Sequence, residues 1–492
     1  MAPALDAAPV IAIAFDGAQP ALVRRLMAAG EMPVLAGLAA RGAWSRVTSS
    51  ANIGSASVWP TFASGQEVLE HGMHYVWRWE PERMRVVREH GERIVPWWRT
   101  AAEAGRRVLT LDVPFLPLAD VENCIEVADW GAHDRTRAAL VTRPARLAAQ
   151  IARDVDAHPY QRDPAPPHDD PSLRYLASAS ERARTGARLR GALAARLIAA
   201  QQPDLALVVF TEMHRASHLL WQTIAPDDPL YAGRRQGLDE RALVDVFRAA
   251  DDAVGQILDA APPAARIALF SLHGMRPARG VPTLLHPLLV DLGYAAVPQG
   301  RGMSPRDAGR AAFAALKAGS PNWLRHAWRR VASPALLNAV AEPTAMRAYD
   351  WDRTRAFSLP SDQHGWVRIN LAGREARGTV PAADYAGMCD ELSAALLAAR
   401  TEDGRPLVQR VLRLADGNGG RPLAQLPDLV VDWDDAAHDV PVRVRGSAVR
   451  STPEGLRLTG KHAYEGFLIA AGLPPAGAVI ASHELHRLIT AS

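Results

Sequence analysis

In FTEMHRASHLLWQ, residues 210–222, His214 and His218 stand four apart after an apolar run, and Glu212 lies two residues before the first. Such a pair either holds a metal ion or is an ordinary feature of a strand-to-helix junction. What else the chain supplies decides between them. FDG, residues 15–17, ends another apolar run on Asp16, a carboxylate that a metal or a phosphate-bearing ligand could use. Its plain alternative is a turn aspartate capping the next helix. SSANIGSASVWPTFASGQEVLEHGMH, residues 49–74, is dense in serine, glycine and other small residues. Small residues leading into a helix suit a nucleophile at the helix N-terminus, where N–H groups and the dipole stabilise an alkoxide and an incoming anion. A serine-rich loop with helix caps is the alternative there.

The elements that must position these residues follow from the apolar pattern. VIAIAFDG (10–17), RRVLTLDVP (106–114), DLALVVFTE (204–212) and RIALFSLHG (266–274) are short, nearly continuous apolar runs ending in turns. Helical patterns over 20–30, 33–41, 96–105, 177–201 and 239–260 separate them. This alternation predicts an α/β fold with a mainly parallel central sheet flanked by helices. Ligands gather at the carboxyl ends of such strands, where Asp16, Glu212, His214 and His273 would sit. The proline- and charge-rich stretch 135–176 reads as a loop excursion over the core. Residues 282–348, with RDAGRAAFAALKAG and PNWLRHAWRRVASPALLNAVA, read as a helical cap insertion. The sheet is expected to resume at AFSLP and GWVRINLAG, so that 1–281 and 349–492 form the core.

The totals narrow the function classes. A chain of 492 residues suits one large α/β domain with insertions, or two domains. A net charge of only +3 gives no footprint for nucleic acid. Cys124 and Cys389, the two cysteines, are too few for a disulfide scaffold and fit a reducing compartment. VIAIAF is strand-sized and lacks a basic flank, so it reads as a core strand rather than an export signal. No apolar run is long enough to span a bilayer. The expectation is a cytoplasmic protein acting on a small-molecule substrate, with neither nucleic acid nor membrane as partner.

Taken together, the motifs resemble the alkaline phosphatase superfamily in its type I phosphodiesterase/nucleotide pyrophosphatase branch. SASVWPTFASGQEVLEHG keeps that branch's pattern, with Ser55 ten residues before Gly65 and a His-Gly pair at 71–72. GREARGTV (373–380), PDLVV (427–431) and GKHAYEGFLIAAG (460–472) extend the likeness over nearly the whole chain. The resemblance implies Ser55 as nucleophile in hydrolysis of a phosphate ester through a phosphoseryl intermediate. It also implies two divalent ions, zinc being favoured. One is held at positions matching His214, His218 and His462, the other at Asp16, Ser55, Leu272 and His273.

Two positions depart from the pattern. His214 and Leu272 stand where the resemblance implies aspartate. Imidazole serves zinc as well as carboxylate does, but leucine coordinates nothing. Glu212 could compensate if it shares a face with His214, as alternate strand residues do. The expectation is one firm metal site at His214, His218 and His462, and a second that is weakened or vacant. With no arginine in 49–65 to hold a dianion, a diester or alkyl-substituted phosphoryl substrate is favoured. Trp59 reads as packing under the helix. A transferase, an ester hydrolase of a biosynthetic pathway and a non-catalytic ligand-binding member are the alternatives.

Overall fold

VIAIAF has no polar face to offer water, so it is stable as a strand only when covered on both sides. It forms β1, Val10–Phe15, with every residue buried. The computed structural model describes residues 8–132, 140–162, 172–225, 227–228, 231, 237–298, 345–435, 441–444, 447–450 and 458–491. Numbered along the chain, the other strands of the sheet containing β1 are β2 Ala43–Thr48, β3 Val108–Leu111, β4 Cys124–Ala128 and β5 Val141–Arg143. They are followed by β6 Leu205–Phe210, β7 Arg266–Ser271, β8 Glu465–Ala471 and β9 Val479–Ala481. The order across the sheet is β9-β2-β8-β7-β1-β6-β3-β4-β5. Strands β7, β1, β6, β3 and β4 run parallel through the middle, with β8 and β5 antiparallel beside them. The mainly parallel α/β sheet read from the sequence is the one observed.

Helices cover the sheet where the 3.6-residue pattern places them. α1, Pro20–Ala28, and α2, Pro33–Arg41, each begin on a proline, whose missing N–H costs nothing in a first turn. The buried carboxylate of Asp251 accepts the Val34 and Leu35 N–H groups at 2.9 Å each and caps α2 from a distant part of the chain. Among the described residues no helix is long and apolar enough to cross a membrane.

The chain falls into two compact units, Met1–His71 with His90–Pro277 and Arg457–Ser492, and Gly72–Glu89 with Ala278–Leu456. Ala356–Leu359 and Gly365–Ile369 do not rejoin the central sheet as expected. They build a separate antiparallel sheet in the second unit with Leu429–Trp433 and Val408–Arg413. The reason is the connection, residues 360–364, which suffices for a hairpin, whereas a parallel return needs about a dozen residues or more. In the same unit GREARGTV supplies an ion knot. Glu375 accepts from the Trp79 indole and from Arg368 at 2.8 Å each, and Arg374 donates to both oxygens of Asp428 at 2.7 Å. Of the loop excursion, residues 140–162 include β5 and a helix, Arg146–Asp154. Of the helical insertion, residues 299–344 lie outside the described residues, while Leu285–Asp291 is helical.

A second ion knot lies in the core of the first unit. Of the helices α3, Val58–Ser64, α4, Leu173–Gln201, and α5, Glu212–Leu220, in this unit, it joins α4 and α5. Arg190 of α4 donates to Asp112 at 2.7 Å and to Glu212 at 2.9 Å, and all three side chains are fully buried. His158 donates through Nε2 to Glu212 at 2.8 Å, because its Nδ1 already accepts the Tyr160 N–H at 3.1 Å. Removing the arginine strands two buried carboxylates. Arg190→Met is therefore expected to cost about 3–5 kcal/mol in urea unfolding. A loss below about 1 kcal/mol would show that backbone donors and His158 satisfy the acids unaided.

Candidate metal centre and nucleophile

Strands β6, β1 and β7 are neighbours, so their carboxyl ends present three turns side by side. Asp16 follows β1 directly, α5 begins two residues after β6, and His273 lies two residues after β7. Gly17 makes the close approach possible. Its φ is +71°, and a Cβ there would lie 3.1 Å from the His214 Cα, so no larger residue lets α5 start this near. The Ser271 hydroxyl ties two turns together, donating to the His273 carbonyl at 2.7 Å and accepting the Ala18 N–H at 3.2 Å. His462 arrives on a ribbon, Gly460–Ala463 paired antiparallel with Gly274–Pro277, in which it faces Met275. Gly460 is required there, because a Cβ would meet the Ser217 carbonyl at 2.3 Å.

Three ring nitrogens converge. The Nε2 atoms of His214 and His218 are 3.0 Å apart, those of His218 and His462 3.2 Å, and those of His462 and His214 3.1 Å. His218 donates through Nδ1 to the Gly460 carbonyl at 2.7 Å. Since a carbonyl only accepts, the neutral ring carries its proton on Nδ1 and turns a bare Nε2 toward the other two. Burial, with the neighbouring His273, His214 and His218, pushes the His462 imidazole well below its ordinary range, so it too is neutral. Zinc binds histidine nitrogen at about 2.0–2.1 Å, which places tetrahedral ligands about 3.3 Å from one another. The triad fits such an ion.

A second donor set adjoins the first. Asp16 Oδ2 lies 3.0 Å from His214 Nδ1, and Asp16 Oδ1 lies 3.3 Å from His273 Nε2. Both groups of three, His214/His218/His462 and Asp16/His214/His273, bring their donor atoms close enough to share an ion, and His214 belongs to both. The Trp59 indole donates to Asp16 Oδ1 at 3.2 Å. Trp59 is thus more than packing. A buried indole N–H seeks an acceptor, and that was the signal in the sequence for its role. Leu272 is buried beside these groups and offers no donor atom.

Ser55 opens a single 3-10 turn, Ser55–Ser57, that runs straight into α3, and it remains half-exposed. Ser57 is fully buried and donates to the Gly54 carbonyl at 2.7 Å and the Ser50 carbonyl at 3.0 Å, which closes the loop beneath Ser55. It does not cap α3. Farther along, Thr61 and His71 pair at 2.9 Å in the core.

Among the candidate carboxylates and histidines, Glu212 is the one not brought to the donor sets. The strand ends at Phe210, so Glu212 and His214 are successive helical positions rather than alternate strand residues. Two residues along a helix turn by about 200°, which sends the carboxylate toward Arg190 and His158, away from the imidazoles. The carbonyls of Gly460 and Gly274, which orient His218 and His273, escaped the sequence reading because backbone groups leave no trace in residue type.

The chain belongs to the type I phosphodiesterase / nucleotide pyrophosphatase family, whose profile matches residues 10–436. It is therefore an enzyme of phosphoester hydrolysis. Among solved structures it is similar to phosphonoacetate hydrolase from Sinorhizobium meliloti 1021 in complex with phosphonoacetate, at 15% identity and a TM-score of 0.51 over 98% of this chain and 95% of that one. The same hydrolase in complex with phosphonoformate gives 15% identity and a TM-score of 0.50 with the same coverage. An inactive form of murine ectonucleotide pyrophosphatase/phosphodiesterase 5 in complex with AMP gives 12% identity and a TM-score of 0.47 over 98% and 94%. The two phosphonoacetate hydrolase likenesses speak for the fold alone. No curated protein sequence gives a significant match.

His71 makes a pH prediction. Burial, aided by Arg93, pushes its imidazole down to about 4. An unfolded histidine titrates near 6.5. Between those values the unfolded chain takes up a proton that the folded chain refuses, so stability falls as pH drops from roughly 6.5 to 4 and is unaffected above. His71→Gln is expected to flatten part of that fall in melting temperatures measured across the window. An unchanged slope would show that other groups set it.

Proposed function

We propose that the chain hydrolyses phosphate esters at this centre, preferring diesters or other alkyl-substituted phosphoryl groups, with Ser55 as nucleophile. A divalent ion, zinc for preference, is held by His214, His218 and His462. The observation that carries this reading is the triangle of Nε2 atoms, 3.0–3.2 Å on a side, with the His218 ring turned into it by Gly460. An ion bound there supplies positive charge that polarises a phosphoryl oxygen and lowers the pKa of a nearby hydroxyl.

The chain's own residues do the rest. Ser55 Oγ forms a bond to phosphorus as the bond from phosphorus to the leaving oxygen breaks, and the phosphoseryl group is then hydrolysed. The buried Ser57 hydroxyl keeps the Ser55 turn in place before substrate arrives, a matter of preorganisation rather than chemistry. The Trp59 indole holds the Asp16 carboxylate in place. The preference for a singly charged phosphoryl group rests on the serine loop, where residues 49–65 contain no arginine to hold a dianion.

Two measurements test this. His218→Ala and His462→Ala should each strip the ion from purified protein, as read by elemental analysis; full metal content in either variant would refute the ligand set. Ser55→Ala should abolish turnover of aryl phosphodiesters, a loss on the order of 10⁶ in rate, with little change in melting. Ser57→Ala should instead cost about 1 kcal/mol of stability and only a modest part of the rate. Near-normal turnover by Ser55→Ala would exclude the covalent path.

A further inference from the structure

We infer that Thr459 is a positioning residue for the metal centre, fastening the ribbon of His462 to the helix of His218 so that both rings meet one ion. The inference rests on the reading that an ion occupies His214, His218 and His462. Its first ground is the way the helix ends. α5 stops at Leu220, and the carbonyls of its last turn have no partner within the helix. The His218 carbonyl instead accepts the Thr459 N–H at 2.6 Å, and the Trp221 N–H donates to the Thr459 hydroxyl at 3.0 Å. The same hydroxyl donates to the His218 carbonyl at 3.4 Å, so one residue spans the end of the helix.

The second ground is how this joint continues along the ribbon. The Thr459 carbonyl accepts the buried Tyr231 hydroxyl, and the next carbonyl, that of Gly460, accepts His218 Nδ1–H at 2.7 Å. Residues two apart on a strand share a face. Gly460 turns its face to α5, since a Cβ there would meet the Ser217 carbonyl at 2.3 Å, and His462 follows on the same face. The Nε2 atoms of His218 and His462 therefore stand 3.2 Å apart although 244 positions separate them in the chain.

The third ground is tolerance. A metal site needs its ligand distances right to about 0.2 Å, and groups beyond the ligands fix their orientation. The ribbon gives His462 little rigidity of its own, because it has two strands only, and such a pair is marginal in isolation. Thr459 supplies the missing restraint, and at 4% exposure bulk water does not readily replace its hydroxyl. Valine at this position keeps the shape and loses the hydroxyl, whereas serine keeps the hydroxyl and loses a methyl group. The two substitutions thus separate hydrogen bonding from packing.

The competing arrangement makes Thr459 a prop of the fold and nothing more. Zinc titrated into metal-free, full-length protein against a competing chelator gives the dissociation constant, and melting of the metal-free forms gives the stability. Thr459→Val should weaken zinc binding by about 10–100-fold, the range found when outer partners of metal ligands are removed. Thr459→Ser should restore nearly all of that affinity. Tyr231→Phe, which removes only the bond to the Thr459 carbonyl, should weaken binding by a smaller factor. Cobalt(II) in place of zinc should give an altered visible spectrum in Thr459→Val and the wild-type spectrum in Thr459→Ser, because its bands follow ligand geometry. Wild-type affinity and spectrum in Thr459→Val overturn the inference whatever the melting temperature, and leave the triad intact. An equal loss in Thr459→Ser overturns it too, since the hydroxyl would then not be what sets the ring. If Thr459→Val does not fold, Tyr231→Phe decides, and wild-type affinity there counts against the inference. Failure of the wild-type protein to bind zinc overturns the triad reading, and this inference with it.

Discussion

Three imidazole nitrogens are held within 3.0–3.2 Å of each other, and much of the first unit serves to hold them so. His218 is oriented by a backbone carbonyl, His214 is brought in by a helix that starts against Gly17, and His462 is set by the register of a two-stranded ribbon. None of these supports is flexible. A ribbon, a helix start and a strand end are the rigid elements on which a centre of this kind is most accurately built.

The buried knot of Arg190, Asp112, Glu212 and His158 belongs to the same design. It sits at the first turn of the helix that carries His214 and His218, and it fastens that turn to a long neighbouring helix by charge-assisted hydrogen bonds. Burial alone would raise the Glu212 carboxyl, but Arg190 and His158 reverse that effect and hold it below its ordinary range. Glu212 therefore remains an anion without being available to an ion at the triad. Its negative charge is already matched inside the core.

Much of the fold was legible because buried parallel strands and their crossover helices leave strong periodic patterns. The runs beginning at Val10, Leu205 and Arg266 became adjacent strands, and the acids and histidines after them arrived at one edge. Less legible were features set by geometry finer than residue type. Glu212 was aligned with His214 by strand alternation, yet the helix had already begun at Glu212 and rotated the two apart. Ala356–Leu359 and Gly365–Ile369 have the composition of central strands, yet the short link between them dictates a hairpin. Trp59 looked like filler because its apolar bulk hides a single donor, and only the position of Asp16 reveals where that donor goes.

The two departures from the family pattern become intelligible together. Histidine at 214 exchanges a charged carboxylate for a ring with two donor atoms on opposite edges. Leucine at 272 removes a donor from the pocket that one of those edges faces. Asp16, His214 and His273 leave three donors around that pocket, the same number as in the triad. What the two changes alter is charge: where the resemblance implies two carboxylates, a ring and an aliphatic side chain leave Asp16 as the one anion among the five donor residues Asp16, His214, His218, His273 and His462.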